Sequence, residues 1–224
     1  MGTDNLFHKI RERKEQSFRR QLEWRKANDV ILIICQGKRT EPNYLRGLKA
    51  ALRIGNANFI ILEAGQGHDS LSVVKAGIAE YEKEPSLYDR VYCVFDRDSD
   101  AQYANAVQLA RNHPLAKRNV LFAANSVPCF EIWLLLHFEY TTHEYVRTGN
   151  RSACDNIVSD LKKAGRIPNY VKNHKGIYEL VSDKTTTALR NSKMLHKHNI
   201  RVQSDNPSTR VQELVTYLQS IAPK

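Results

Sequence analysis

Long apolar runs are missing from this 224-residue chain. The longest, Ile132 to Leu136 with its neighbours, falls far short of the ~20 residues that cross a bilayer. A membrane-spanning protein is therefore excluded. The N-terminus is charged and lacks an apolar core segment, so no signal peptide is expected. Cysteine is scarce. Cys35, Cys93, Cys129 and Cys154 form no CxxC pair and show no zinc-ligand spacing. Two of them sit inside apolar, strand-like runs. They read as reduced, buried thiols of a cytoplasmic protein. Nucleophile motifs are absent as well. No G-x-S-x-G occurs, and Cys129 has no activated histidine nearby in sequence. Gly65-Gln66-Gly67-His68 lacks both the Walker A lysine spacing and the dinucleotide fingerprint. Repeats and low-complexity linkers are also missing.

What the chain does have is a core and a positive charge. Hydrophobic residues make up 42% of it, which excludes disorder throughout. The length suits one domain with a small elaboration, or two small domains. Lys and Arg number 34 against 24 Asp and Glu, a formal charge of +10. A basic balance favours polyanionic partners through steering and counterion release; a generic solvated basic surface is the alternative. The first 26 residues concentrate this charge: eight Lys or Arg, among them Arg11, Arg13, Arg19 and Arg20, face four acidic residues. Phe18, Leu22 and Trp24 add a few apolar anchors. Two readings of this helical arm stand side by side. It contacts phosphate, with Trp24 free to stack, or it is a solvated helix packed on its own domain or a partner subunit.

Beyond the arm, strands alternate with amphipathic helices. Val30 to Cys35 is a β-branched run of the kind buried on both faces. Thr40 is placed to cap the next helix, whose Tyr44, Leu45, Leu48 and Leu52 share a face. Phe59 to Leu62 is a second strand, and Asp69 or Ser70 caps a helix buried through Leu71, Val74, Ile78 and Tyr81. Val91 to Phe95 is a third strand, Ala101 to Asn112 a helix, and Asn119 to Ala124 a fourth strand. The alternation predicts βαβ units and a parallel sheet covered on both faces. From Cys129 onward the pattern turns helical: a buried helix around Phe130 to Leu136, one near Asn150 to Lys163 ending at Gly165, one from Gly176 to His196, and a last one opened by a Thr209/Gln212 capping box. Val211, Leu214, Val215 and Leu218 form the buried stripe of that last helix.

In a parallel sheet, ligands bind beyond the carboxyl ends of the strands. Strand one ends in Cys35-Gln36-Gly37-Lys38-Arg39-Thr40-Glu41, and strand three in Asp96-Arg97-Asp98-Ser99-Asp100. If the two strands are neighbours, these ends share one rim. Two carboxylates at close range repel when both are ionised, and a hard divalent cation relieves that conflict. Asp96 and Asp98, two apart, form such a pair. A metal there could polarise a phosphodiester. The competing reading is that Asp is an ordinary turn and capping residue, with Asp98 or Asp100 capping the helix near Ala101. Glycosyltransferases also use D-x-D, to hold a sugar nucleotide, but nothing else here favours a sugar donor. Lys38 and Arg39 could neutralise a phosphate, or be solvated surface charges. Asn125 and Ser126 line the same rim or merely pack. His196-Lys197-His198 shows no metal-ligand periodicity and reads as surface.

Cys35-Gln36-Gly37-x-x-Thr40-Glu41-Pro42-Asn43-Tyr44 followed by Val94-Phe95-Asp96-Arg97-Asp98 resembles the RloB-like family, whose fold is Toprim-related. Gly2 to Lys9, Pro128-Cys129-Phe130-Glu131-Ile132-Trp133-Leu134-Leu135-Leu136-His137, and Asn206-Pro207-Ser208-Thr209-Arg210-Val211 resemble further motifs of that family in the same order. The resemblance implies a Toprim-related fold; with the pattern read above, the expectation is an α/β, Toprim-like parallel sheet with flanking helices, a helical C-terminal region and a basic N-terminal arm. The corresponding divisions are 1–28 for the arm, 29–127 for the α/β domain and 128–224 for the helical region packed on it. It also implies a Mg2+- (or Mn2+-) dependent nuclease acting on DNA, RNA or tRNA phosphodiesters in phage defence, with an ABC- or AAA-type ATPase partner. Asp96 and Asp98 take the metal-binding role, with Glu41 and Glu131 as further acidic candidates. Lys38, Arg39, Arg97 and the arm arginines are the expected nucleic-acid contacts.

One position departs from the family pattern. Where the family has Cys-Glu-Gly, this chain has Gln36. Glutamine is nearly isosteric with glutamate but carries no charge and cannot act as a general base. The expectation is therefore a nuclease weakened or inactivated at Gln36, unless Glu41 or Glu131 compensates. The alternative is a non-catalytic subunit that binds nucleic acid or docks on an ATPase. The apolar C-terminal helices would tolerate a homodimer interface.

Overall fold

The computed structural model describes residues 29–55, 59–63 and 69–223. The basic arm with Arg11, Arg13, Arg19 and Arg20, the Gly65–His68 loop and the family-like Gly2–Lys9 motif lie outside the described residues.

Four strands form one parallel sheet: β1 (Ile31–Cys35), β2 (Phe59–Glu63), β3 (Arg90–Val94) and β4 (Leu121–Ala123). Their spatial order is β2-β1-β3-β4. The sheet therefore grows outward from β1 in both directions, and the direction switches between β1 and β3. The apolar runs predicted as strands form these strands because both of their faces are covered. Ile31, Ile33, Cys35, Tyr92 and Val94 face one apolar cluster, while Leu32, Ile34, Val91 and Cys93 face the other. Alternation along each strand sends successive side chains to opposite faces. All four cysteines are buried, and none forms a disulfide among the described residues.

The second face is covered by α2 (Ser70–Lys83) through Val73, Val74 and Tyr81, and by α3 (Tyr103–Asn112) and the short α4 (Pro114–Lys117) through Ala106, Ala110 and Leu115. Asp69 caps α2 as expected, accepting the Ser72 amide at 2.9 Å. The first face is covered by α1 (Thr40–Ala51) through Tyr44, Leu45 and Leu48, together with the C-terminal helices. Those are α5 (Glu131–Leu135), buried along its whole length, α6 (Ala153–Leu161), α7 (Thr185–Val202) and α8 (Val211–Ile221). Val211, Leu214, Val215 and Leu218 are all buried. The result is a three-layer, Toprim-like α/β fold. Among the described residues, no helix is long and apolar enough to cross a membrane.

Three local expectations give way to tertiary contacts. Thr40 does not cap α1: it is the first helical residue, and its hydroxyl donates to the Lys172 carbonyl at 2.5 Å. The helix expected from Gly176 begins only at Thr185, after a 3-10 turn at Ser182–Lys184. The irregular stretch lets Tyr178 pack edge-on against Tyr44, with ring centroids 5.4 Å apart. The Thr209/Gln212 capping box does not form. Thr209 belongs instead to β6 (Ser208–Thr209), which pairs antiparallel with β5 (Ser126–Val127). Its hydroxyl lies 3.1 Å from that of Ser126 and accepts the Val211 amide. A capping box does occur at Ser152 and Asp155 of α6.

Candidate functional site

The carboxyl ends of β1 and β3 lie side by side. Cys35 is in register with Val94, and the Gln36 amide continues the ladder to the Val94 carbonyl at 2.9 Å. Their extensions border a cleft of about 380 Å³ at the point where the sheet changes direction, the place where open parallel sheets bind ligands. Gln36, Lys38, Arg39, Glu41, Asp96, Asp98 and Glu131 all line it. Sequence reasoning thus places seven of its eight candidates outside the arm in one cleft. Arg97 is the exception: its guanidinium pairs with Asp205 at 2.8 Å and lines a neighbouring hollow.

The two members of the D-x-D pair have different surroundings. Asp98 is exposed at the mouth, with positive φ (27°), its amide bound to the Pro128 carbonyl at 2.8 Å. Asp96 points inward. Its Oδ1 is buried and has no hydrogen-bond partner among the described residues. Burial, then the charges of Glu41 and Glu131, push its carboxyl well above the usual carboxylate range. Asp100 serves structure. One carboxylate oxygen takes both the Ser70 amide and hydroxyl at 2.5 Å, and the other takes the Gln102 amide at 2.8 Å. It thus ties the β3 loop to the start of α2.

Glu41 and Glu131 are buried, at 6% and 3% exposure. Burial, with repulsion from Glu131, lifts Glu41 to about 7 against the pull of its own amide, the Gly37 amide and Lys172. Glu41 lies so close over Gly37 that any side chain at 37 would collide with its carboxylate. A side chain at 37 would force the Glu41 carboxylate to move. Glu131 accepts the Tyr170 hydroxyl at 2.8 Å. Gln36 does what an uncharged side chain can do here: its Oε1 accepts the Asp96 amide at 2.8 Å. It thereby fixes the backbone from which the Asp96 carboxylate projects.

Two contributors went unread in the sequence. Tyr170 holds Glu131, and Lys172 brings a cation to the cleft wall. Burial lowers the Lys172 ammonium, but Glu131 and the other nearby acidic groups outweigh this and raise it. The loop carrying both residues is fastened by Thr40 and Asn43, whose side chains donate to the carbonyls of Lys172 and His174. The only sequence signal for it was the Thr40-Glu41-Pro42-Asn43 motif itself. Asn125 and Ser126 turn out to pack, through Tyr103 and Thr209 respectively.

Among the described residues, no three His, Cys, Asp or Glu side chains form a ready-made metal cage. Mg2+ typically uses one or two carboxylates and keeps several waters. The Asp96 Oδ1, buried without a hydrogen-bond partner among the described residues and set beside the charges of Glu41 and Glu131, is the donor chemistry such an ion would use.

The four-stranded parallel sheet flanked by helices is a Toprim-like α/β fold, with an acidic cleft at its β1/β3 ends. The chain belongs to the RloB-like protein family, which it matches over residues 31–218. No curated protein and no solved structure matches it.

Proposed function

We propose that the cleft is a Mg2+-dependent site for nucleic-acid phosphodiesters, and that the chain is a Toprim-type nuclease of phage defence whose turnover Gln36 reduces. The observation that carries this is the inward-facing Asp96 carboxylate, unsatisfied at Oδ1 and set against Glu41 and Glu131 in an open cleft. Asp96, with Asp98 at the mouth, would hold the cation, which supplies charge neutralisation and polarises a phosphodiester oxygen. Lys38, Arg39 and Lys172 line the same cleft and place positive charge on a bound phosphate backbone. Gln36 keeps the Asp96 backbone in place but takes no proton. Glu41, the buried acid nearest the Gly37 turn, is the group left to exchange one. The RloB-like resemblance adds a cytoplasmic setting and an ABC- or AAA-type ATPase partner to the same reading.

A second reading has its own support. Gln36 has a structural role, its Oε1 holding the Asp96 amide. A subunit that binds nucleic acid or docks on an ATPase without cutting would look the same.

Cleavage of DNA, RNA and tRNA in Mg2+ separates the two. The Gln36→Glu form is expected to cut at least one substrate about a hundredfold faster than the chain as it stands, the lower end of what a positioned acid/base contributes. Adding Asp96→Ala to that form should abolish cutting. A Gln36→Glu form silent on all three, with Asp96→Ala without effect in cells, would leave only the binding subunit.

A further inference from the structure

At the opposite end of the sheet lies a second concavity, of about 610 Å³, between the β3–β4 edge and helices α7 and α8. Arg90 opens β3 and Asp96 follows its end, so at ~3.3 Å per residue the two sites are roughly 20 Å apart along the strand. The floor of the groove is aromatic. Tyr92 and Phe122 stack with centroids 5.0 Å apart, and Tyr217 leans on Tyr92 at 6.0 Å. The Arg90 guanidinium lies 3.8 Å from the Tyr217 centroid and 4.9 Å from that of Phe122. Above this floor α7 presents Lys193 and Lys197, both exposed. Of the nearby acids, Glu213 is already paired with Arg210 and Asp29 accepts the Tyr217 hydroxyl. Gln212 is more than nine-tenths buried in the groove wall, and its Oε1 has no hydrogen-bond partner among the described residues.

We propose that this groove binds a nucleotide unit, its base on the aromatic–guanidinium floor and its phosphate on Lys193 and Lys197. Each feature has a counterpart in that ligand. Flat rings and a guanidinium plane stack on any nucleobase. Two surface lysines without an ion pair among the described residues suit a phosphate. A buried amide without a partner suits the hydrogen-bonding edge of a base. An acyl chain would leave Arg90 and Gln212 unmatched, and a sugar phosphate would leave the rings bare. The nucleotide comes either free or as one unit of a strand, and both sources share this chemistry. The groove stands apart from the reading of the cleft.

The test is calorimetric titration of AMP, adenosine, ribose 5-phosphate and a short oligoadenylate into the full chain and into its Asp96→Ala form. AMP should bind both forms equally, which separates the groove from the cleft. Adenosine and ribose 5-phosphate should each bind about tenfold more weakly than AMP, or worse, the size of one lost phosphate contact or one lost stacked base. Lys193→Glu with Lys197→Glu, on exposed positions, should weaken AMP by a similar factor without moving the melting temperature. Phe122→Leu keeps the apolar volume, removes the ring and should do the same. An oligoadenylate much tighter than AMP marks a strand as the source; one no tighter marks a free nucleotide. Absence of saturation by AMP and oligoadenylate at millimolar concentration would overturn the proposal. So would binding that survives both the charge reversal and Phe122→Leu.

Discussion

Crowded acids set the character of the cleft. Glu41 titrates at about 7 where it stands, against 4.5 for an ordinary glutamate, because burial and Glu131 oppose its charge. The folded state therefore holds this proton more tightly than the unfolded chain. Between pH 4.5 and 7 the folded protein binds more protons, so stability falls as pH rises through that window. At pH 8 the penalty is at most about 3 kcal/mol, from 1.36 kcal/mol per unit. Glu41→Gln should accordingly raise the melting temperature at pH 8 and leave it unchanged near pH 4, as thermal melts across pH would show. Equal effects at both pH values would mean that the carboxylate is not held against its charge. The acidic residues were legible because they follow strands at a predictable rim. Lys172 and Tyr170 were not. They come from irregular chain well beyond the strand ends, more than a hundred residues from the Thr40–Asn43 segment that fastens it, and only three-dimensional closure brings them to the cleft.

At the scale of elements, local signals succeeded where a helix or strand needs nothing beyond its own sequence and one covering layer. The four apolar runs became strands, and their order β2-β1-β3-β4 put the first and third side by side. The Asp69 cap of α2 is local in the same sense. Its carboxylate takes the Ser72 amide at 2.9 Å and the Ser72 hydroxyl at 2.6 Å. Asp69→Ala should cost about 1 kcal/mol of unfolding free energy, which denaturant titration would register as a lower midpoint with an unchanged slope. A loss well under that would mean that Asp100, which holds Ser70 from the other side, caps the helix alone. Local signals failed where a distant partner competes. Thr40 answers Lys172, Thr209 answers Ser126, and the segment after Gly176 bends so that Tyr178 meets Tyr44. In each case a tertiary hydrogen bond or ring contact outweighs helix propensity worth a few tenths of a kcal/mol.

Across the whole molecule, an acidic cleft sits in a chain of charge +10. A long-range positive field draws polyanions inward, while the carboxylates at the sheet's switch point repel a bare phosphate. In the proposed function a divalent cation would reconcile the two, and on this point that proposal stands or falls. The family and the sheet could be read from sequence because motifs are spaced along the chain in order. The groove at the far end could not, since Arg90, Phe122, Lys193 and Tyr217 meet only in the folded state. The central claim is tested most directly by calorimetric titration of Mg2+ and Mn2+ into the chain, its Gln36→Glu form and its Asp96→Ala form, with and without an oligonucleotide to complete the metal's shell. The account predicts saturable binding that tightens with Gln36→Glu and disappears with Asp96→Ala. Binding indifferent to Asp96→Ala, or none in any form even with oligonucleotide present, would contradict it.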